Sequence, residues 1–243
     1  MKPPSDPGER LLDFEIRQQP DDTTCGPTCL NAIYRYFGDE LPFEALRGEL
    51  AALTAGGTLG VILATHALGR GYRARILTWN LAVFDPTWFA LASDAIAAKL
   101  RARAAGTPDT KLALAAGLYA DFLDAGGRIE LCDLTPAVLR GFLKQRLPIL
   151  TGLSATFLYR SAREIGATDT PDDVHGDPVG HFTVLTGYAP GRREVFVSDP
   201  LFPNPLSDEH TYPVPIERVV GAIYLGVLTY DACLVVLEPP DRA

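Results

Sequence analysis

The sequence predicts an α+β fold, with a helical half first in the chain and an antiparallel sheet half after it. Three observations point there. Apolar residues recur at helical spacing in successive segments before residue 70. From Gly126 onward short alternating runs bounded by Gly, Pro, Asn and Asp take over, which is a strand signature. Strands and helices do not alternate as βαβ units would, and no internal repeat or low-complexity tract occurs.

Length and composition narrow the class. A chain of 243 residues with 47% hydrophobic content fills a core without covalent staples, and one domain over 1–243 is expected. Its halves run from about 14 to 125, with a helical insertion at about 90–125, and from about 126 to 238. A net charge of −8 with no block of Lys and Arg argues against a nucleic-acid binder. No run of about 18 apolar residues exists, and the N-terminal MKPPSDPGERLLDFE lacks an apolar signal-peptide region, so a cytoplasmic protein with no membrane contact is expected. Cys25, Cys29, Cys132 and Cys233 have neither disulfide-framework nor zinc-site spacing, and no metal or cofactor is expected. Oligomeric state is not encoded in any pattern found.

In chain order, residues 1 to about 13 are polar and Pro-rich and read as a loose arm, with Phe14 to Arg17 extended toward Gln19-Pro20. A helix begins at Cys25, after a Thr pair that reads as its cap, and ends near Phe37 with Gly38 as the C′ residue. Helices follow at about 43–53 and from after Gly56-Gly57-Thr58 to Gly69, and a strand at 72–79. Two Ala/Leu-rich helices, about 94–104 with Ser93 as N-cap and about 111–124, form the insertion. Then come a strand at 127–132, a helix at 135–146, a strand at 148–151 and a surface loop over 161–179. The hairpin HFTVLTGY (181–188) and EVFVSDP (194–200) is the clearest in the sequence. A Pro-rich loop, a helix at about 215–224 and a closing strand at 233–237 end the chain.

Chemistry concentrates at two places. Cys25 opens a helix, where unpaired N–H groups and the helix dipole favour a thiolate. A thiol nucleophile needs a base, and the base an orienting group. With a three-residue loop Ala189-Pro190-Gly191 and Gly191 left-handed, Tyr188 faces Arg192 and His181 lies opposite Asp199, their Cβ atoms about 5 Å apart. Gln19, six positions before Cys25, carries an amide suited to an oxyanion, with Gln18 as the competing candidate. Gly57 and Thr58 could present backbone to an extended substrate, and Ser154, after a central strand, could line the cleft. Cys29 and His66 read as core residues, and His175 and His210 as loop residues.

The ordered set Gln19, Cys25-Gly26-Pro27, Gly180-His181 and Asp199-Pro200 resembles the papain-like cysteine peptidases of the bacteriocin-processing, double-glycine leader type. It is more distantly similar to phytochelatin synthases. The resemblance implies a papain-like fold, with the nucleophile helix in a helical half packed on antiparallel strands. It also implies Cys25 as nucleophile, His181 as general base and acid, Asp199 as orienter and Gln19 as oxyanion donor, acting on a peptide or amide bond. About 155 residues separate Cys25 from His181, and a stand-alone member is expected. Two alternatives stay open at this level: transfer of the acyl group to an amine, and peptide binding without turnover.

Overall fold

The computed structural model describes residues 8–52, 58–166 and 168–240. The first half holds β1 (Arg10–Leu11), α1 (Cys25–Tyr36), α2 (Phe43–Ala52), α3 (Gly60–Gly69), β2 (Arg73–Thr78), α4 (Ser93–Gly106) and α5 (Thr110–Asp124). The second holds β3 (Arg128–Glu130), α6 (Pro136–Lys144), β4 (Ile149–Ser154), α7 (Ala155–Tyr159), β5 (Glu164–Ile165), β6 (Thr170–Pro171), β7 (Gly180–Ala189), β8 (Glu194–Ser198), β9 (Thr211–Pro215), α8 (Ile216–Leu225) and β10 (Cys233–Glu238). Helices and an antiparallel-dominated sheet give the α+β class expected.

The sheet runs β3-β2-β10-β4-β7-β8-β9, with β1 on β7. Only β2 and β3 are parallel among its described pairs. Side-chain alternation sends β-strand residues to two apolar layers. Ile76, Leu150, Phe182, Val184 and Val235 pack with residues of α1, α3, α4 and α5, including Leu30, Ile33, Leu63, Leu100 and Tyr119. Leu77, Leu153, Leu185, Val197 and Leu234 pack with residues of α6, α7 and α8, including Leu139, Leu158 and Val219. Helices therefore cover both faces. The α4–α5 pair is no appendage: Ile96, Ala97, Leu100 and Ala116 are buried in the first layer.

Several expectations change. Arg10 and Leu11 are not a loose arm, because they pair with Tyr188 and Gly187. The strand expected at 233–237 is present as β10 and lies inside the sheet, between β2 and β4. The stretch 161–179 contains the β5–β6 ribbon, joined to Asp177 by a bridge from Glu164. Ser93 does not cap α4: it is the first helical residue, and Ala92 holds the cap position without a side-chain bond, whereas Asp109 caps α5, its carboxylate accepting from the N–H groups of Lys111 and Leu112, each at 3.0 Å.

The hairpin register also differs. Ala189 pairs with Glu194 and Val184 with Ser198, with a shift between Leu185 and Gly187. The connection is thus longer than Ala189-Pro190-Gly191, and its left-handed residue is Arg193, at φ 54°. Gly187 sits at the irregularity because a Cβ there would lie 2.4 Å from the Arg10 carbonyl oxygen.

One close approach ties the halves together. The carboxylate of Asp231 accepts from the Gly60 N–H at 3.0 Å, satisfying a first-turn donor of α3 from across the chain. At Gly60 a Cβ would lie 2.7 Å from Cys233 Sγ. Gly60→Ala is expected to destabilise by about 1–3 kcal/mol through overpacking. Adding Cys233→Ala removes the obstructing sulfur, so urea unfolding of the double variant should show it more stable than the sum of the single effects. Strict additivity would show that the sulfur is not what limits the site.

Candidate active site

The turn before α1 sets how its N-terminus is presented. Asp21 Oδ1 accepts from the Thr23 N–H at 3.0 Å and the Thr23 hydroxyl at 2.6 Å. Thr24 donates its hydroxyl to the Asp21 carbonyl at 2.9 Å and accepts from the Asp21 N–H at 3.2 Å. Both hydroxyls are thereby turned back into the turn. The Thr cap expected from sequence is absent: Thr24 occupies the N-cap position with no side-chain bond to the helix, and the first turn holds no acidic residue. The opening N–H groups of α1, beside the half-buried Cys25, keep their positive character for an anion.

His181 and Asp199 meet although their backbone positions are not directly opposed. His181 Nε2 donates to Asp199 Oδ1 at 2.8 Å. Bonding through Nε2 leaves the other ring nitrogen free, and the Cys25 side chain is near enough to favour charge on the ring. Asp199 is fully buried and His181 is 8% exposed. Burial works against charge on His181, but the Asp199 carboxylate and the Cys25 sulfur outweigh it and push the imidazole up to about 10. Burial likewise opposes charge on Asp199, and His181 together with the hydroxyls of Tyr212 and Tyr159 hold it below the usual carboxylate range.

Gln19 and Gln18 separate clearly. Gln19 is 8% exposed, and its N–H donates to the Pro200 carbonyl at 2.9 Å, beside Asp199. Its amide Nε2 donates to the Asp21 carbonyl at 3.1 Å, and its Oε1 is buried with no partner among the described residues. Gln18 is exposed and tied to the Phe202 carbonyl at 2.8 Å. Thr58 lines a cleft of about 210 Å³ with Thr23, Thr24 and Pro27, next to the start of α1. Gly57 lies outside the described residues. Ser154 pairs with Gly180 and is buried, its hydroxyl accepting from the Phe157 N–H at 3.3 Å, so it caps α7 rather than lining a cleft.

Other candidates fall as core or loop residues. Cys29 is buried, its thiol donating to the Phe182 carbonyl at 3.3 Å. His66 is satisfied at both nitrogens by the Tyr34 hydroxyl and Glu49, each at 2.8 Å. Tyr159 and Tyr212, which reach Asp199, escaped notice in the sequence. Tyr212 alternates with Val214, a strand signal broken by the prolines of TYPVP, and Tyr159 ends a helix too short to show a period. No group of three or more His, Cys, Asp or Glu among the described residues could hold a metal ion. None of the described helices is long and apolar enough to cross a membrane.

Linkage gives the site a pH signature. Since His181 is raised above its ordinary 6.5 to about 10, the stability it adds is fully present below 6.5 and is lost as pH rises through 10. Asp199, being lowered, adds stability that is present above the ordinary carboxylate range and is lost as pH falls through its folded value. In histidine-labelled protein the His181 ring should titrate near 10 by NMR, and Asp199→Asn should lower that midpoint. A wild-type midpoint near 6.5 would contradict the ion pair.

No protein-family model matches the chain, and no curated protein does at the significance required. Solved structures do. A C39-like peptidase from Bacillus anthracis aligns over 96% of this chain and 99% of its own, with TM-score 0.50 and 15% identity. A double-glycine-motif protease from an AMS/PCAT transporter, solved with its leader peptide, covers 94% of both chains with TM-score 0.44 and 12% identity. The peptidase domain of Streptococcus ComA covers 93% of this chain and 98% of its own, with TM-score 0.42 and 14% identity. The chain has the papain-like fold of the C39-like peptidase from Bacillus anthracis.

Proposed function

We propose that the chain is a thiol-dependent hydrolase that cleaves a peptide or amide bond through an acyl-enzyme on Cys25. The observation carrying this reading is that one buried imidazole bonds a buried carboxylate while the side chain of Cys25, at a helix start, acts on the charge of the same ring. A cysteine there supplies the attacking sulfur, and an imidazolium beside it compensates the thiolate.

In this reading the Cys25 sulfur adds to the substrate carbonyl carbon. Negative charge develops on the carbonyl oxygen, and the Cys25 N–H and the Gln19 amide are the donors for it. His181 gives its proton to the departing amine as the C–N bond breaks, leaving a thioester. The now neutral imidazole takes a proton from water, which attacks the thioester and releases the acid and the thiol. Asp199 acts through His181, holding its tautomer and ring orientation in both steps. The fold supports a peptide as the substrate class. Thr58, on the cleft wall beside the start of α1, is the substrate-side candidate.

Peptide-library cleavage read by intact mass is the direct test. Cys25→Ala should lose turnover, and mapped iodoacetamide labelling should modify Cys25 faster than the exposed Cys132. Turnover undiminished in Cys25→Ala would end the hydrolase reading. Gln19→Ala should lower kcat by about 10²–10³ with little change in KM. Products carrying an added amine in place of water would identify acyl transfer.

A further inference from the structure

We infer that Tyr159 and Tyr212 are positioning residues that hold Asp199 ionised and aimed at His181, which deepens the proposed mechanism and rests on it. Both phenols donate to the same oxygen, Asp199 Oδ2, Tyr212 at 2.6 Å and Tyr159 at 2.7 Å. The other oxygen, Oδ1, accepts from His181 Nε2 at 2.8 Å and the Leu201 N–H at 3.0 Å. An ionised carboxylate offers about four acceptor positions, and here four donors fill them.

A neutral carboxylic acid would have to place its own O–H among groups that all donate. Protonation therefore requires at least one donor to turn away, inside a site where Asp199 is fully buried and Tyr159 and Tyr212 are 9% and 4% exposed. The two phenols come from different elements, α7 and β9, and converge on one carboxylate oxygen. Tyr159 also packs on the His181 ring, with centroids 6.1 Å apart and planes at 51°. Other titratable groups around Asp199 are Cys25 and Cys29 on α1 and His210, whose Nδ1 contacts the Asp199 carbonyl at 2.8 Å.

The consequence for titration is asymmetric. Both the imidazolium–carboxylate pair and the state with neutral His181 contain ionised Asp199, so removing a phenol raises both by the same amount. The alkaline step between them is untouched. The acid step, where Asp199 takes a proton, moves to higher pH.

Tyr159→Phe, Tyr212→Phe and the double variant test this, because each keeps its ring and loses only the hydroxyl. With four histidines in the chain, His181 ring resonances can be followed across the pH range in histidine-labelled protein. The acid inflection should rise by about one pH unit in each single variant and further in the double one, while the alkaline inflection stays in place. The acid limb of kcat/KM should rise in parallel, with KM unchanged. An unmoved acid inflection, or equal movement of both inflections, overturns the assignment. If the double variant does not fold, the single variants decide the same way. The resonances report on Asp199 whether or not the chain turns over a peptide, so failure of the hydrolase reading would appear separately, in Cys25→Ala.

Discussion

The structure depends on a carboxylate kept charged where no water reaches it. Removing an ion from water costs several kcal/mol, and the cost is offset only if each acceptor position finds a donor. Asp199 finds them in three elements and one loop: β7 brings His181, α7 brings Tyr159, β9 brings Tyr212, and the backbone turns at Leu201 to add an N–H. Much of the chain between Ser154 and Pro215 is arranged so that these groups converge. The Gln19–Pro200 backbone bond then fastens the segment leading to Cys25 onto the same loop.

The Cys25 side follows a complementary logic. A helix beginning with a thiol could bond its own opening N–H groups to a neighbouring hydroxyl, and the Thr pair makes that the natural expectation. The Asp21 turn prevents it by engaging both hydroxyls itself. Pro27 supplies a helical φ without adding another unsatisfied donor. Positive backbone character is thus left at Cys25 while the negative partner is buried behind His181.

Much of this was legible in the residues. The helix at Cys25, the pairing of His181 with Asp199 and the core placement of Cys29 and His66 all followed from local pattern. The route to the His–Asp contact was less accurate. Simple counting through a three-residue loop placed the pair directly opposite, whereas the actual register is offset and the side chains close the gap. A β-irregularity near Gly187 depends on how β1 crowds that position, which hairpin counting does not contain. The tyrosine clasp was invisible for another reason: its members lie 53 positions apart, in elements whose short length or prolines suppress any periodic signal. Gln18 and Gln19 likewise differ in burial, which adjacent identical residues cannot express.

The position of β10 has a bearing on how this architecture assembles. The pair β2–β3 and the ladder from β4 to β9 share no hydrogen-bonded edge until β10 inserts between them. Each stretch can acquire helices on its own, but the continuous sheet awaits the strand that comes last in order, and such distant pairing is slow to form. A chain emerging from the ribosome can seat its thiol beside its imidazole through β1 on β7 and the Gln19–Pro200 bond, but β2 and β3 stay apart from the strand that carries the imidazole until that keystone arrives.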